Sequence, residues 1–290
     1  LSWLHNHWLC NHNLVNFNGS TELNFGSTLL KVKTMKFEGN ASLLQQKMAA
    51  SSAGVSRRLA VMRALNLNVD DAILDVGCGA GHLLEDIALA VGTNGNVVGL
   101  DPSETQLVAA RQRCEPLNNV QFLCSMADKI NLPDASCDGI ASIQTLDYIE
   151  DVGATLAEVG RLLKPRSSFV NVSVLWDHFK FHGADEALND LIHEAFKAHC
   201  YHQMLPLELS GQLSKQGFGN IRTESLAFVI TQRHENSPAA YAELVLANFA
   251  LGQGVEEDKV RAWQSQLAQA ESEGRFGFTS FPVLTVGTKL

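Results

Sequence analysis

An apolar run that contains an acid, Ile73-Leu74-Asp75-Val76, leads into Gly77-Cys78-Gly79-Ala80-Gly81-His82, where three glycines alternate with small residues. Glycine lacks a Cβ, so such a turn takes left-handed backbone and lets a ligand approach the main chain. A second acid, Asp101, closes the next apolar run, Val97-Val98-Gly99-Leu100. A side-chain-free cradle flanked by two carboxylates suits a nucleotide-like cofactor. An acid at the end of the second strand can accept hydrogen bonds from ribose hydroxyls.

The spacing narrows the cofactor. A dinucleotide fingerprint, G-x-G-x-x-G, needs its third glycine where this chain has His82; here that glycine has moved to Gly81. The Lys-Ser/Thr that ends a phosphate loop is also missing. The pattern D-x-G-x-G-x-G, Asp75 to Gly81, resembles motif I of the class I S-adenosylmethionine-dependent methyltransferases. The resemblance implies S-adenosyl-L-methionine as cofactor and S-adenosyl-L-homocysteine as product. It places Asp75 near the ammonium, Gly77, Cys78, Gly79 and Gly81 around the methionine moiety, and Asp101 with Pro102 at the ribose. A third short strand, Val120 to Cys124, precedes Met126-Ala127-Asp128. In the family this Ala-Asp pair, here Ala127 and Asp128, sits against the adenine, and Gln144 completes the cofactor set.

Leu132-Pro133 and Cys137-Asp138-Gly139-Ile140 resemble the family segment that enters strand four. Where the family commonly has R-x-L-K-P-G-G, this chain reads Arg161-Leu162-Leu163-Lys164-Pro165-Arg166-Ser167, with both glycines replaced. The likeness spans roughly residues 55 to 235 and is similar to the ubiquinone/menaquinone C-methyltransferase-like (methyltransferase type 11) group. It implies a Rossmann-like, doubly wound, mostly parallel seven-stranded α/β sheet with an antiparallel last strand and a helical cap insertion.

Ligands of doubly wound sheets bind at the carboxyl ends of the strands, so residues after strands four and five face the transferred methyl. After strand four comes Ile143-Gln144-Thr145-Leu146-Asp147-Tyr148. The Asn/Asp-Pro-Pro-aromatic signature of nucleic-acid amino-methyltransferases is absent. Asp147 or Tyr148 could steer or deprotonate an acceptor, although Asp147 could equally cap the next helix. After strand five, Trp176 would wall an apolar pocket, with Asp177 or His178 able to take a proton. His178, Asp147 and Tyr148 are therefore the catalytic candidates. Tyr148, Trp176, His199 and His202 are the candidate acceptor pocket. No metal is expected, because His199 and His202 lack further ligands at suitable spacing. The expected activity is methyl transfer to the O, C or N atom of a small, partly apolar molecule by in-line displacement. A protein or lipid-headgroup methyltransferase, a non-catalytic cofactor-binding partner subunit and an NAD-dependent oxidoreductase are the competing readings.

Positioning these residues requires strands near 72–76, 97–101, 119–124, 137–142 and 168–174. Helices are expected near 56–67, 81–91, 103–114, 151–163, 185–200 and 207–216. Strands over 221–230 and 276–288 would close the sheet. Helices over 238–250 and 255–271 would form the cap. The expected organisation is a leader over 1–34, loosely packed or disordered, then one domain over 35–290. Its cofactor core covers about 55–175 and its cap elements about 176–216 and 237–272. The chain has 290 residues, 46% of them hydrophobic and 18% charged, with a net charge of -9. That balance fits a globular protein and disfavours a nucleic-acid partner, which needs concentrated Lys and Arg. No apolar run reaches the length of a membrane span. The scattered cysteines, with no C-x-x-C pair, read as small reduced hydrophobes and favour a cytoplasmic setting. The oligomeric state stays open. The His5, His7 and His12 cluster reads as leader sequence, not a metal site.

Overall fold

The computed structural model describes residues 40–234 and 236–290. The 1–34 leader, with its histidines, lies outside them. β1 (Ala72–Val76) is flanked on one side by β2 (Asn96–Leu100) and then β3 (Val120–Leu123). On the other side come β4 (Cys137–Ile143) and β5 (Leu163–Val174). These five strands are mutually parallel, and β1 and β4 meet where the strand order reverses. β10 (Pro282–Lys289) inserts antiparallel between β5 and β7 (Phe218–Ser225), completing seven strands. β1 is buried over Ile73 to Val76 because helices cover both faces of the sheet, which is why it reads as a continuous apolar run.

The helices follow from their apolar stripes and caps. In α3 (His82–Val91), Leu83, Leu84, Ile87, Ala88 and Val91 are buried at helical spacing. Ser51, Ser103 and Asp151 cap α2 (Ser52–Leu65), α4 (Glu104–Arg113) and α5 (Val152–Leu162), each side chain accepting from a first-turn amide. α1 (Asn40–Ala50), which the sequence pattern does not announce, packs on α2.

A second core sits apart from the sheet. β6 (Lys180–His182), β9 (Gly277–Ser280) and β8 (Phe228–Ile230) form a three-stranded antiparallel sheet. Its aromatic centre packs with α6 (Glu186–Lys197), α8 (Pro238–Gly252) and α9 (Glu257–Ser272). Phe181, Trp263 and Phe278 are fully buried there, and the Trp263 indole donates to Asn189 at 2.9 Å. The expected strands over 221–230 and 276–288 are each broken in two, because the chain leaves the main sheet for this small one. α7 (Leu205–Lys215), grouped with the cap by sequence, instead packs Leu205, Leu209 and Leu213 on the main core.

The lost glycines of the Lys164-Pro165-Arg166 segment leave a visible trace. β5 begins at Leu163, and Arg166 holds φ at 68°, a left-handed conformation that a glycine adopts without the steric cost.

Candidate cofactor and acceptor site

The glycine turn, Asp101 and the segment after β4 all lie at the carboxyl ends of adjacent strands. The amides of Gly77 and Cys78 donate to the Leu100 carbonyl at 2.7 and 2.9 Å, tying the turn to the end of β2. Gly77 holds φ at 73°, and a Cβ there would stand 2.1 Å from Thr145 Oγ1. Gly81 holds φ at 79°, and a Cβ there would press on Ala110 of α4 at 3.0 Å. The shifted third glycine is thus explained by close helix packing at the start of α3. Gly77→Ala is expected to cost about 3 kcal/mol, from left-handed strain plus overpacking, read as a lowered urea midpoint. An unchanged midpoint would show that the turn relaxes freely.

Two carboxylates flank the cradle. Asp101 Oδ2 accepts from Gly79 N at 3.0 Å and Oδ1 from Ser103 N at 2.8 Å. Burial raises its pKa, partly offset by those two amides. Asp75 is 2% exposed, and its Oδ2 has no partner. Burial, then repulsion from Asp101, pushes the Asp75 carboxyl up to about 8. An orphaned buried carboxylate beside a glycine cradle is a receptor for a cation, and the ammonium of an amino acid fits it. Ala127 is buried, while Pro102 and Asp128 are exposed at the rim. Gln144 holds φ at 51°, a conformation rare for a side-chain-bearing residue, where β4 turns into the site.

Sequence reasoning did not anticipate α1. Gln45 Nε2 lies 3.0 Å from where a Gly79 Cβ would be, and Gln45 Oε1 accepts from Gln106 at 3.5 Å. α1 therefore lies over the turn. No periodicity in Asn40–Ala50 signals this.

The acceptor candidates divide around Trp176. Asp147, offered as a base, is corrected: it has no exposed surface. Its Oδ1 accepts from the Trp176 indole at 3.2 Å and from Val174 N at 3.4 Å, and its carbonyl accepts from Tyr201 and His202 amides. Burial lifts its pKa to about 7. It joins the loops after β4 and β5 and does not reach a substrate; Asp151, not Asp147, caps the next helix.

On one side of Trp176 is a cavity of 330 Å³, lined by Trp176, Asp177, His178, Phe179, His193 and Phe196 among others. His178 is exposed there. On the other side His199 is fully buried, meeting the edge of Trp176 at 4.5 Å and Tyr148 at 5.7 Å and stacking on Phe196 at 3.9 Å. Its Nδ1 bonds the Phe196 carbonyl at 2.7 Å, and Nε2 has no partner. Burial pulls its pKa down to about 4, so it is neutral at physiological pH. His202 is turned away, its Nε2 against the Ile149 carbonyl at 2.9 Å. Among the described residues no group of three His, Cys, Asp or Glu side chains could hold a metal ion, and no helix is long and apolar enough to cross a membrane.

The sequence family described as "Methyltransferase domain" matches residues 73–166. A demethylmenaquinone methyltransferase of Staphylococcus saprophyticus is 33% identical over 115 residues, 39% of this chain and 48% of that protein. A ubiquinone biosynthesis O-methyltransferase of Rhodopseudomonas palustris is 28% identical over 162 residues, 54% of this chain and 61% of that protein. The chain thus spans about half the length of the curated relatives it matches. Among solved structures, the Bacillus subtilis YcgJ protein superposes with a TM-score of 0.56 at 19% identity, covering 81% of this chain and 98% of that one. A Haemonchus contortus phosphoethanolamine N-methyltransferase bound to S-adenosyl-L-methionine gives a TM-score of 0.58 at 19% identity, covering 86% and 57%. These last likenesses concern the fold.

Proposed function

We propose that this chain is a class I S-adenosylmethionine-dependent methyltransferase of the type 11-like group, as its match to a methyltransferase domain and its likeness to quinone-pathway methyltransferases support, and that it methylates a small, partly apolar molecule at O, C or N. The observation that carries this reading is the cluster of aromatic rings, Trp176, Phe179, Phe196, Tyr148 and His199, in the segments that follow β4 and β5. Such a wall suits a ring or hydrocarbon body better than a charged polymer. The names of the two bacterial relatives point the same way, toward quinone-type acceptors.

In this reading the cofactor is S-adenosyl-L-methionine, which when bound would supply an electrophilic methyl on its sulfonium, in keeping with the methyltransferase-domain match. We assign Asp75 to its ammonium, Asp101 with Pro102 to the ribose, Ala127 and Asp128 to the adenine, and the backbone from Gly77 to Gly81 with Gln144 to the methionine chain. Most of the chain's work in this scheme is orientation and exclusion of water, since in-line displacement gains chiefly from proximity. The exposed His178 ring, which lines the cavity beside Trp176, is the group assigned to accept a proton from an acceptor; His199, sealed in the aromatic cluster like Asp147, is not. Asp147 acts through Trp176, holding the wall in place.

The test is S-adenosylhomocysteine formation by the full chain offered quinols, phenols and amines in turn. Turnover with a ring-bearing acceptor is expected, with His178→Ala leaving cofactor affinity unchanged. Turnover only with protein or phospholipid would overturn the small-molecule reading.

A further inference from the structure

His193 lies on the inner face of α6 with Ile192, Ala195 and Phe196, and is 8% exposed. It lines the 330 Å³ cavity together with Trp176, His178, Phe179 and Phe196. The backbone N–H of Phe181, in β6, donates to His193 Nε2 at 3.2 Å. An amide donor at that nitrogen requires a lone pair on it, so the neutral ring carries its proton on Nδ1. Burial, then Lys180, pull the His193 pKa down to about 4, and the ring is neutral at physiological pH. Among the described residues Nδ1 has no partner. A buried N–H without an acceptor is costly to keep, and the residue that carries this one borders a cavity.

The rest of the lining limits what can meet that donor. Trp176, Phe179 and Phe196 pack against one another and offer aromatic surface to an apolar ring. Asp177, Asp190 and Glu194 set three carboxylates against two lysines, and Lys197 is already paired with Glu194 at 2.6 Å. An anion entering the cavity meets an excess of negative charge, whereas a neutral oxygen does not. We propose that His193 is a specificity-determining residue of this cavity, its Nδ1–H donating to a neutral carbonyl oxygen of a molecule whose apolar ring packs on Trp176, Phe179 and Phe196. Nδ1 is closed to bulk water, so a small turn of the imidazole brings it to the ligand, and pairing the stranded donor offsets that turn. The assignment rests on the methyl-transfer reading above, in which the same cavity holds the acceptor and His178 takes its proton.

The test titrates the full chain calorimetrically with 4-hydroxyacetophenone, 4-ethylphenol and 4-hydroxybenzoate, with and without S-adenosylhomocysteine. The three share a phenol ring and differ in carrying a neutral carbonyl, a methylene or a carboxylate. The ketone is expected to bind at least about tenfold tighter than either of the others, because it alone meets the buried donor without bringing charge. Two variants separate this contact from the one to Phe181. In His193→Gln the amide oxygen can stand where Nε2 stood and keep the Phe181 bond, while the Nδ1 donor is gone. In His193→Asn the amide N–H can stand where Nδ1 stood, while Phe181 loses its acceptor. His193→Gln is therefore expected to hold the unfolding midpoint and lose the ketone preference, and His193→Asn to lower the midpoint by several degrees and keep part of the preference. Equal binding of ketone and ethylphenol by the wild-type chain, binding of neither, tightest binding of the carboxylate, or an undiminished preference in His193→Gln would overturn the proposal. If the wild-type chain prefers the ketone but does not bind S-adenosylhomocysteine, the methyl-donor reading fails while the carbonyl contact stands as a binding site. If it binds S-adenosylhomocysteine without preferring the ketone, the contact fails and the methyl-donor reading stands.

Discussion

Asp101→Ala is expected to weaken S-adenosylhomocysteine binding by at least about 100-fold, since two charge-assisted hydrogen bonds to ribose hydroxyls are lost at about 1.5–3 kcal/mol each. The same change also strips Gly79 N and Ser103 N of their acceptor. The turn and the start of α4 would loosen together, so the unfolding midpoint should fall as well. Asp101→Asn separates the two effects. Its carbonyl oxygen can still serve one of the backbone amides, so stability should largely return while affinity stays about tenfold down. Calorimetric titration of both variants, with urea unfolding alongside, reads this directly. Unchanged affinity in Asp101→Ala would remove Asp101 from the ribose contact.

Cofactor affinity is expected to climb about 50-fold between pH 6 and pH 8. With its carboxyl raised to about 8, Asp75 is ionised in about 1% of ligand-free molecules at pH 6 and about half at pH 8. An ammonium docked on Asp75 requires the ionised form, so binding near pH 7 should release close to one proton. That release appears as a buffer-dependent heat in calorimetry. Stability runs the other way. Asp75 at about 8 and Asp147 at about 7 both hold their protons more tightly folded than unfolded. Their contribution is complete below the ordinary carboxylate range and is lost as pH rises from about 4 through 7 to 8. The ligand-free midpoint should therefore fall over the window in which affinity rises. Asp75→Asn should flatten the affinity profile, and a pH-independent affinity in the wild type would remove the ammonium from Asp75.

The glycine turn and the acid that ends β2, proposed here as the cofactor's seat, were legible in the sequence for a local reason. Asp75, Gly77, Gly79, Gly81 and Asp101 occupy two strand ends and one turn, and each is required by backbone geometry or a short-range bond. Strand alternation and helical spacing likewise place the main sheet, including the antiparallel β10. The acceptor half was not legible. Asp147 reads as an available base, yet long-range packing seals it against Trp176, 29 positions away in the chain. The small sheet of β6, β8 and β9 escaped notice because three- and four-residue strands carry no usable period.

The most direct measurement is to incubate the full chain with a cell extract and S-adenosylmethionine carrying an isotopically labelled methyl, then follow the label by mass spectrometry. The expected result is one labelled methyl on a small, partly apolar molecule, absent when Asp101→Ala replaces the wild type. Label found only on protein or lipid, or none transferred, would contradict it.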